Sequence, residues 1–450
     1  MACLHPVSPC PAAERSPAKR GRTALDTWAS LPPPPPKIPP LVPGPQNDSE
    51  AYVAALCERS FLPLWSYANP TGKKDKELCD LLVVCGADVA IVSVKDIRPS
   101  PTADEATRTA RWVKKALDGS FRQIAGAERW LRDEAEVTDA SGRRGVVLPP
   151  PSERRVYRIA LAFGGGGQMP LKQGDFGTGF VHAMDEQAFD TLIRELDTAT
   201  DFFDYLRRKE EVVSRAAVLF EGAEEDLLAF YLAHDRSFPV EPDLFMIGEG
   251  LWEAFSRSPE YHARERANVV SRVWDRIIEE HIEGFARDPR PPSPSAFESA
   301  TTVWDAEPVL RVLAQEDRYW RRELSAGLVE FVRPSDGRRV RSRMMISPER
   351  RVTYVLLRLR PGEDVESRNR ELFLRCWVAR DRFPEHPVVV GMAFGTSPGD
   401  PNEMLLFDHP EWGDEQRAKA QLVRDELGYF VAPRERRSRG REFPVVNDVE

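Results

Sequence analysis

The sequence predicts a mixed α+β protein: an N-terminal α/β domain, a helical middle and a C-terminal α/β module. Three observations predict it. Runs rich in β-branched residues ("DLLVVC", "VAIVSV", "VYRIALAF", "VTYVLLRLR", "PVVVGMAF", "EMLLFDH") recur in both halves and are short enough to be buried strands. Segments with apolar residues at helical spacing lie between them. Two proline-rich joints, "LPPPPPKIPPLVPGP" and "RDPRPPSPSA", interrupt the chain, and its 450 residues suffice for two or three cores.

Residues 1–47 combine a basic stretch with the first proline run, have no apolar periodicity, and are expected to form a disordered tail. From 48 to 220 an α/β domain is expected, with a soft boundary near 140–155. Its first element is a helix at about 49–60, capped by Asp48 or Ser49 and carrying Tyr52, Val53, Leu56 and Cys57 on one face. "LCDLLVVCGADVAIVSVKDI" then reads as a hairpin turning at Gly86-Ala87-Asp88, both strands buried on both faces. One or two helices follow, with Trp112, Leu117, Ile124 and Leu131 toward a core, and "VYRIALAF" is strand-like and could rejoin the same sheet. "GGGGQMPLKQGDFGTG" is a long loop, "FVHAMDE" a strand, and "QAFDTLIRELDTATDFFDYLRRKEEVV" two helices that break and recap near "LDTAT". Residues 221–330 read as helical, 331–432 as alternating strands and helices, and 433–450 as a basic tail.

Composition limits the function classes. The net charge of −9, with 41% hydrophobic and 30% charged residues, gives no global attraction for nucleic acid, so any polyanion must meet a local patch. Six scattered cysteines form no CxxC pair, which suits a reduced cytoplasmic protein. No apolar run has the roughly 20 residues of a membrane helix, and no secretory signal is read. The glycine run lacks the Lys-Ser/Thr of a phosphate loop. His182 and Met184 fall on one strand face and Asp185 on the other, so Asp185 and Glu186 are expected to cap a helix rather than bind a metal.

The hairpin carries the chemistry. Strand alternation puts Ile91, Ser93 and Lys95 on one face, and Asp80, which opens the partner strand, lies across from them. Water cleaves a phosphodiester with the help of divalent cations held by carboxylates, while a lysine stabilises the developing charge. Glu50 and Glu77 would supply further carboxylates.

Glu50 early in a helix, Asp80 opening a strand, a short turn, Ser93-Val94-Lys95, and a helix bearing Gln123 together resemble the PD-(D/E)XK superfamily of restriction-endonuclease-like nucleases over about residues 48–135. The resemblance implies a restriction-endonuclease-like mixed sheet flanked by helices and cleavage of DNA or RNA dependent on Mg²⁺ (or Mn²⁺). It implies Asp80 as the main metal ligand, Lys95 as the catalytic lysine, Glu50 as an auxiliary acid and second ligand, and Gln123 as an orienting group. Ser93 departs from the pattern because it stands at the (D/E) position. Either Glu50, Glu77 or Asp96 substitutes for the missing carboxylate, or the fold binds nucleic acid or protein without cleaving. Phosphate contacts are expected from Lys114, Lys115 and Arg122 and from the cluster holding Arg338, Arg339 and Arg341, which would equally suit an acidic protein partner of the C-terminal module.

Overall fold

The computed structural model describes residues 5–7, 47–72, 74, 76–97, 104–165, 173–177, 179–241, 244–287, 300, 302–333, 340–360, 362–395, 403–431 and 440–444. The first proline run, nearly all of the second, Arg338, Arg339 and most of the basic tail lie outside these residues. The chain divides into two compact units, one over Pro36–Arg264 and one over Glu265–Pro444, the latter joined by the strand His5–Val7. The helical stretch expected over 221–330 is shared between them.

In the first unit, α1 (Asn47–Phe61) leads into β1 (Ser66–Ala68), β2 (Leu81–Cys85) and β3 (Asp88–Asp96). Gly86 and Ala87 turn the hairpin, and Gly86 adopts φ +65°, a conformation that costs a residue without Cβ little. A single helix, α2 (Glu105–Leu131), follows where one or two were expected. Trp112, 2% exposed, anchors it by donating its indole N–H to Ile97 O at 2.8 Å just past β3. A small hairpin, β4 (Glu136–Thr138) and β5 (Arg144–Val147), then leads to β6 (Arg155–Phe163).

Strand β6 does rejoin the sheet, pairing parallel to β3 from Asp88↔Arg155 to Asp96↔Phe163. With β7 (Gly174–Asp175) and β8 (Phe180–Met184), the six strands take the order β1-β2-β3-β6-β8-β7. The leading glycine of the run after β6 has a steric reason. Gly164 has φ +83°, and a Cβ there would stand 3.0 Å from Ile97 O.

Asp185 caps α3 (Glu186–Glu195) by accepting from Ala188 N, and Thr198 caps α4 (Ala199–Arg215), which is the expected break and recap. The sequence missed β9 (Ala217–Phe220) and β10 (Leu244–Ile247), a parallel pair on either side of α5 (Glu224–Ala233). Four-residue apolar runs flanked by strong helix patterns carry too little periodicity to separate from a helix. Helices α6 (Leu251–Ser256) and α7 (Pro259–Asn268) follow.

The second unit holds α8 (Arg272–Arg287), α9 (Val303–Ala314) and α10 (Arg318–Val332), then β11 (Ser342–Ser347), β12 (Val352–Arg358), α11 (Val365–Arg382), β13 (Val388–Phe394), β14 (Glu403–Asp408) and α12 (Asp414–Leu427). Its sheet runs from His5–Val7 through β14, β13 and β12 to β11, with only β12 and β13 parallel. Leu372, Cys376 and Ala379 of α11 pack on Val355, Leu357, Val389 and Phe407 to make its core. Both units are therefore mixed α+β, each with a mixed sheet flanked by helices. Among the described residues no helix is long and apolar enough to cross a membrane.

Candidate active site

The parallel strands β3, β6 and β8 end at one edge of the first sheet, where the crevice beyond the carboxyl ends of strands commonly binds ligands. Leu81 pairs with Val92, so Asp80 comes level with Ser93 at that edge. Asp80 is 5% exposed, and its carboxylate gathers donors from two elements. Oδ2 accepts from Val94 N at 2.5 Å and from Lys95 Nζ at 3.3 Å, while Oδ1 accepts from Gln123 Nε2 at 2.7 Å.

The Gln123 amide closes the network. Its Oε1 accepts from Lys95 Nζ at 2.7 Å and from Ser93 Oγ at 2.9 Å. Ser93 Oγ also lies 3.1 Å from Ser120 Oγ, which donates to Ala116 O at 2.8 Å. Asp80, Ser93, Lys95 and Gln123, grouped in one candidate site by the sequence, therefore form one hydrogen-bonded group. Sequence reasoning missed Ser120, although a serine three residues before Gln123 in the apolar arc of Ala116, Ile124 and Ala127 marks the same helix face.

Ser93 is wholly buried, so its hydroxyl locks β3 to α2 and does not open to solvent. Ser93→Ala should cost about 1 kcal/mol, the value of one neutral buried hydrogen bond, since Ser120 and Gln123 keep other partners; urea unfolding would measure it.

Two more carboxyl groups crowd Asp80. Burial first, then a hydrogen bond to the Asp80 carboxylate and the charges of Asp80 and Glu50, push the Glu77 carboxyl up to about 7, against the pull of Lys95. Burial and the Asp80 charge raise Glu50 as well, again against Lys95. Glu77, weighed from the sequence only as a substitute, is thus the acid in direct contact with Asp80.

Asp96 serves elsewhere. Its carboxylate accepts from Ser49 Oγ of α1 at 2.7 Å, and alternation along β3 turns it to the face opposite Lys95. Lys114, Lys115 and Arg122 stand exposed on α2, away from the Asp80 network. Arg341 is already engaged, with its guanidinium on Glu363 Oε1 at 3.0 Å and on Arg358 O at 2.9 Å.

His182 is fully buried, with Nε2 3.0 Å from Glu210 Oε1; burial and the charges of Lys209 and Arg158 hold the imidazole well below its usual range, hence neutral. Cys57, Cys79, Cys85 and Cys376 are buried.

Among the described residues no group of three or more His, Cys, Asp or Glu side chains is arranged to hold a metal ion. Glu77 and Asp80 nonetheless bring two carboxyl groups side by side. Magnesium commonly takes one or two carboxylates and completes its shell with water and substrate phosphate. The chain matches no protein-family model, and neither a curated protein nor a solved structure is similar enough to register as a match.

Proposed function

We propose that the first unit is a restriction-endonuclease-like module of a nuclease-related protein and that the Asp80–Lys95 edge hydrolyses phosphodiesters of DNA or RNA with Mg²⁺ or Mn²⁺. The observation that carries this reading is the convergence on Asp80 of Lys95, Gln123 and Glu77, with Glu50 in electrostatic reach. Asp80 and Glu77 would hold the cation, which supplies polarisation of the phosphate and a more acidic bound water.

The remaining roles belong to the chain. Lys95, held beside Asp80, stabilises charge developing on the phosphate oxygens. Glu50 adds a carboxylate that draws a proton from water. Gln123 fixes the positions of both Asp80 and Lys95.

A second reading has its own observation. The group at the (D/E) position is a buried hydroxyl bonded to Ser120 and Gln123, which suits a nuclease-like fold that binds nucleic acid, or a protein through its C-terminal module, without cutting.

Labelled single- and double-stranded DNA and RNA, incubated with the protein and Mg²⁺ or Mn²⁺, separate the two. Cleavage predicts products that vanish with chelator and in Lys95→Ala; products that persist in Lys95→Ala would sink it. Retention of labelled strands without products, together with cleavage gained by Ser93→Asp, supports the binding reading.

A further inference from the structure

The second unit repeats a feature of the first. In both, a hairpin, a crossover helix and a strand parallel to the second hairpin strand follow in order: β2-β3-α2-β6 and β11-β12-α11-β13. Charged residues gather at the same place in each, the edge where the parallel pair ends. Asp80 and Lys95 occupy it in the first unit.

In the second unit, Ser342 pairs with Leu357, Arg358 with Phe394, and Ala393 with Glu403. Arg341, Arg358 and Glu403 therefore share that edge. Helix α11 starts there too and brings Arg368, Glu371 and Arg375 along one side.

Arg368, Arg375 and Glu403 are buried and Arg341 is half-buried, and all four are incompletely matched. Arg375 is 5% exposed, Arg368 8% and Glu403 2%. Arg341 spans Glu363 and Glu371 at 3.0 and 3.6 Å, and Arg375 pairs with Glu371 while lying 3.8 Å over the Tyr429 ring. Among the described residues, the buried Nε–H groups of Arg341, Arg368 and Arg375 meet no acceptor. Glu403 stands 3.1 Å from Arg368 Nη2, yet neither of its oxygens makes a hydrogen bond.

A network built only to hold the fold would leave few such atoms, because each buried donor without an acceptor costs about 1–3 kcal/mol. Three unfilled guanidinium donors at one edge call for an acceptor with several oxygens. The N-terminus of α11 is not the recognising group, since Asp364 already caps it by accepting from Ser367 N at 2.9 Å. Burial pushes Glu403 up to about 7, so near neutrality it opposes an incoming anion only in part.

We propose that this edge of the second unit, lined by Arg341, Arg368 and Arg375, binds a phosphate group. Guanidinium forks match tetrahedral oxyanions through paired N–H donors, a geometry a lysine does not provide. The site is separate from the Asp80 edge and does not depend on cleavage there.

Titrating the full chain with inorganic phosphate without added metal, at constant ionic strength, and following ³¹P line broadening tests it. Saturable broadening is expected, with affinity about tenfold or more weaker in Arg368→Ala and several-fold weaker in Arg368→Lys, which keeps the charge and most of the packing. Competition then separates the sources. Displacement by an unphosphorylated duplex oligonucleotide assigns the site to backbone phosphate, and displacement by a nucleoside monophosphate alone assigns it to a small phosphate ester. Broadening that does not saturate, or equal affinity in wild type and folded Arg368→Lys, would overturn the proposal.

Discussion

Asp80→Ala should lower the stability of the first unit by about 3–5 kcal/mol, the cost of removing one partner from a buried charged network. The carboxylate is 5% exposed and accepts from Val94 N, Lys95 Nζ and Gln123 Nε2. Its loss leaves a buried backbone N–H and the Gln123 amide N–H without their acceptor and the Lys95 ammonium with Gln123 Oε1 alone, and the buried groups regain no full hydration while the sheet stays closed. Glu77 then loses both the hydrogen bond and the negative charge that help raise it, so its carboxyl moves down toward the ordinary range. Urea unfolding gives the stability, and titration of the Glu77 side chain by NMR gives the second effect. Asp80→Asn separates the two, because it keeps an acceptor oxygen but removes the charge. It should destabilise by less and still lower Glu77. On the nuclease reading both variants lose metal-dependent products per folded molecule, whereas a stability loss with unchanged products would assign Asp80 to the fold alone.

The same residue shows where sequence reasoning reaches and where it stops. Strand alternation and hairpin order placed Asp80, Ser93 and Lys95 together, because period two and a two-residue turn fix register once the hairpin is recognised. Gln123 followed from the resemblance, and the structure brings it into contact with all three. Glu77 was harder to read. It lies outside the strand, and its contact with Asp80 depends on the chain between β1 and β2, where Leu78 N bonds to Pro70 O and Asn69 N to Asp80 O. Local pattern carries no information about such a path. Asp96 shows the reverse error: adjacency in sequence suggested a ligand, but alternation sends it to Ser49 on the other face.

In the second unit, "SRMMIS" has no clear strand alternation, yet it forms β11, because pairing to the hydrophobic β12 overrides its weak propensity. Arg341 followed the same course. Charge count places it on a nucleic-acid surface, and its position before β11 sets its terminal nitrogens on Glu363 and the Arg358 carbonyl, leaving its Nε–H without an acceptor among the described residues. Charge counts register how many arginines a segment holds. Only the fold decides which of them already have acceptors.

Glu403→Gln should flatten part of the fall in stability expected between about pH 5 and pH 8. Burial raises the Glu403 carboxyl from the ordinary 4.5 to about 7, opposed by Arg368 and reinforced by Glu363. A carboxyl whose folded pKa lies above its unfolded value contributes stability that is fully present below about 4.5 and is lost as pH rises through about 7. For a group 2% exposed, the separation corresponds to roughly 3 kcal/mol across that window. Glutamine cannot ionise, so the variant should lack this loss and overtake the wild type on the alkaline side, less whatever the Arg368 ion pair returns at that pH.

Other groups act in the same window. Glu210, raised to about 7 by burial, and Glu77 lose stability in the same direction, while the buried neutral His182 loses it as pH falls below its unfolded value near 6.5. These three lie in the first unit and Glu403 in the second. Subtracting the variant's unfolding free energy from that of wild type at each pH isolates Glu403, followed on the transition of the second unit where the two units melt separately. Parallel stability curves for the two proteins from pH 5 to 8 would mean that Glu403 titrates at its ordinary value and that its buried edge is better matched than the contacts of Arg368 indicate.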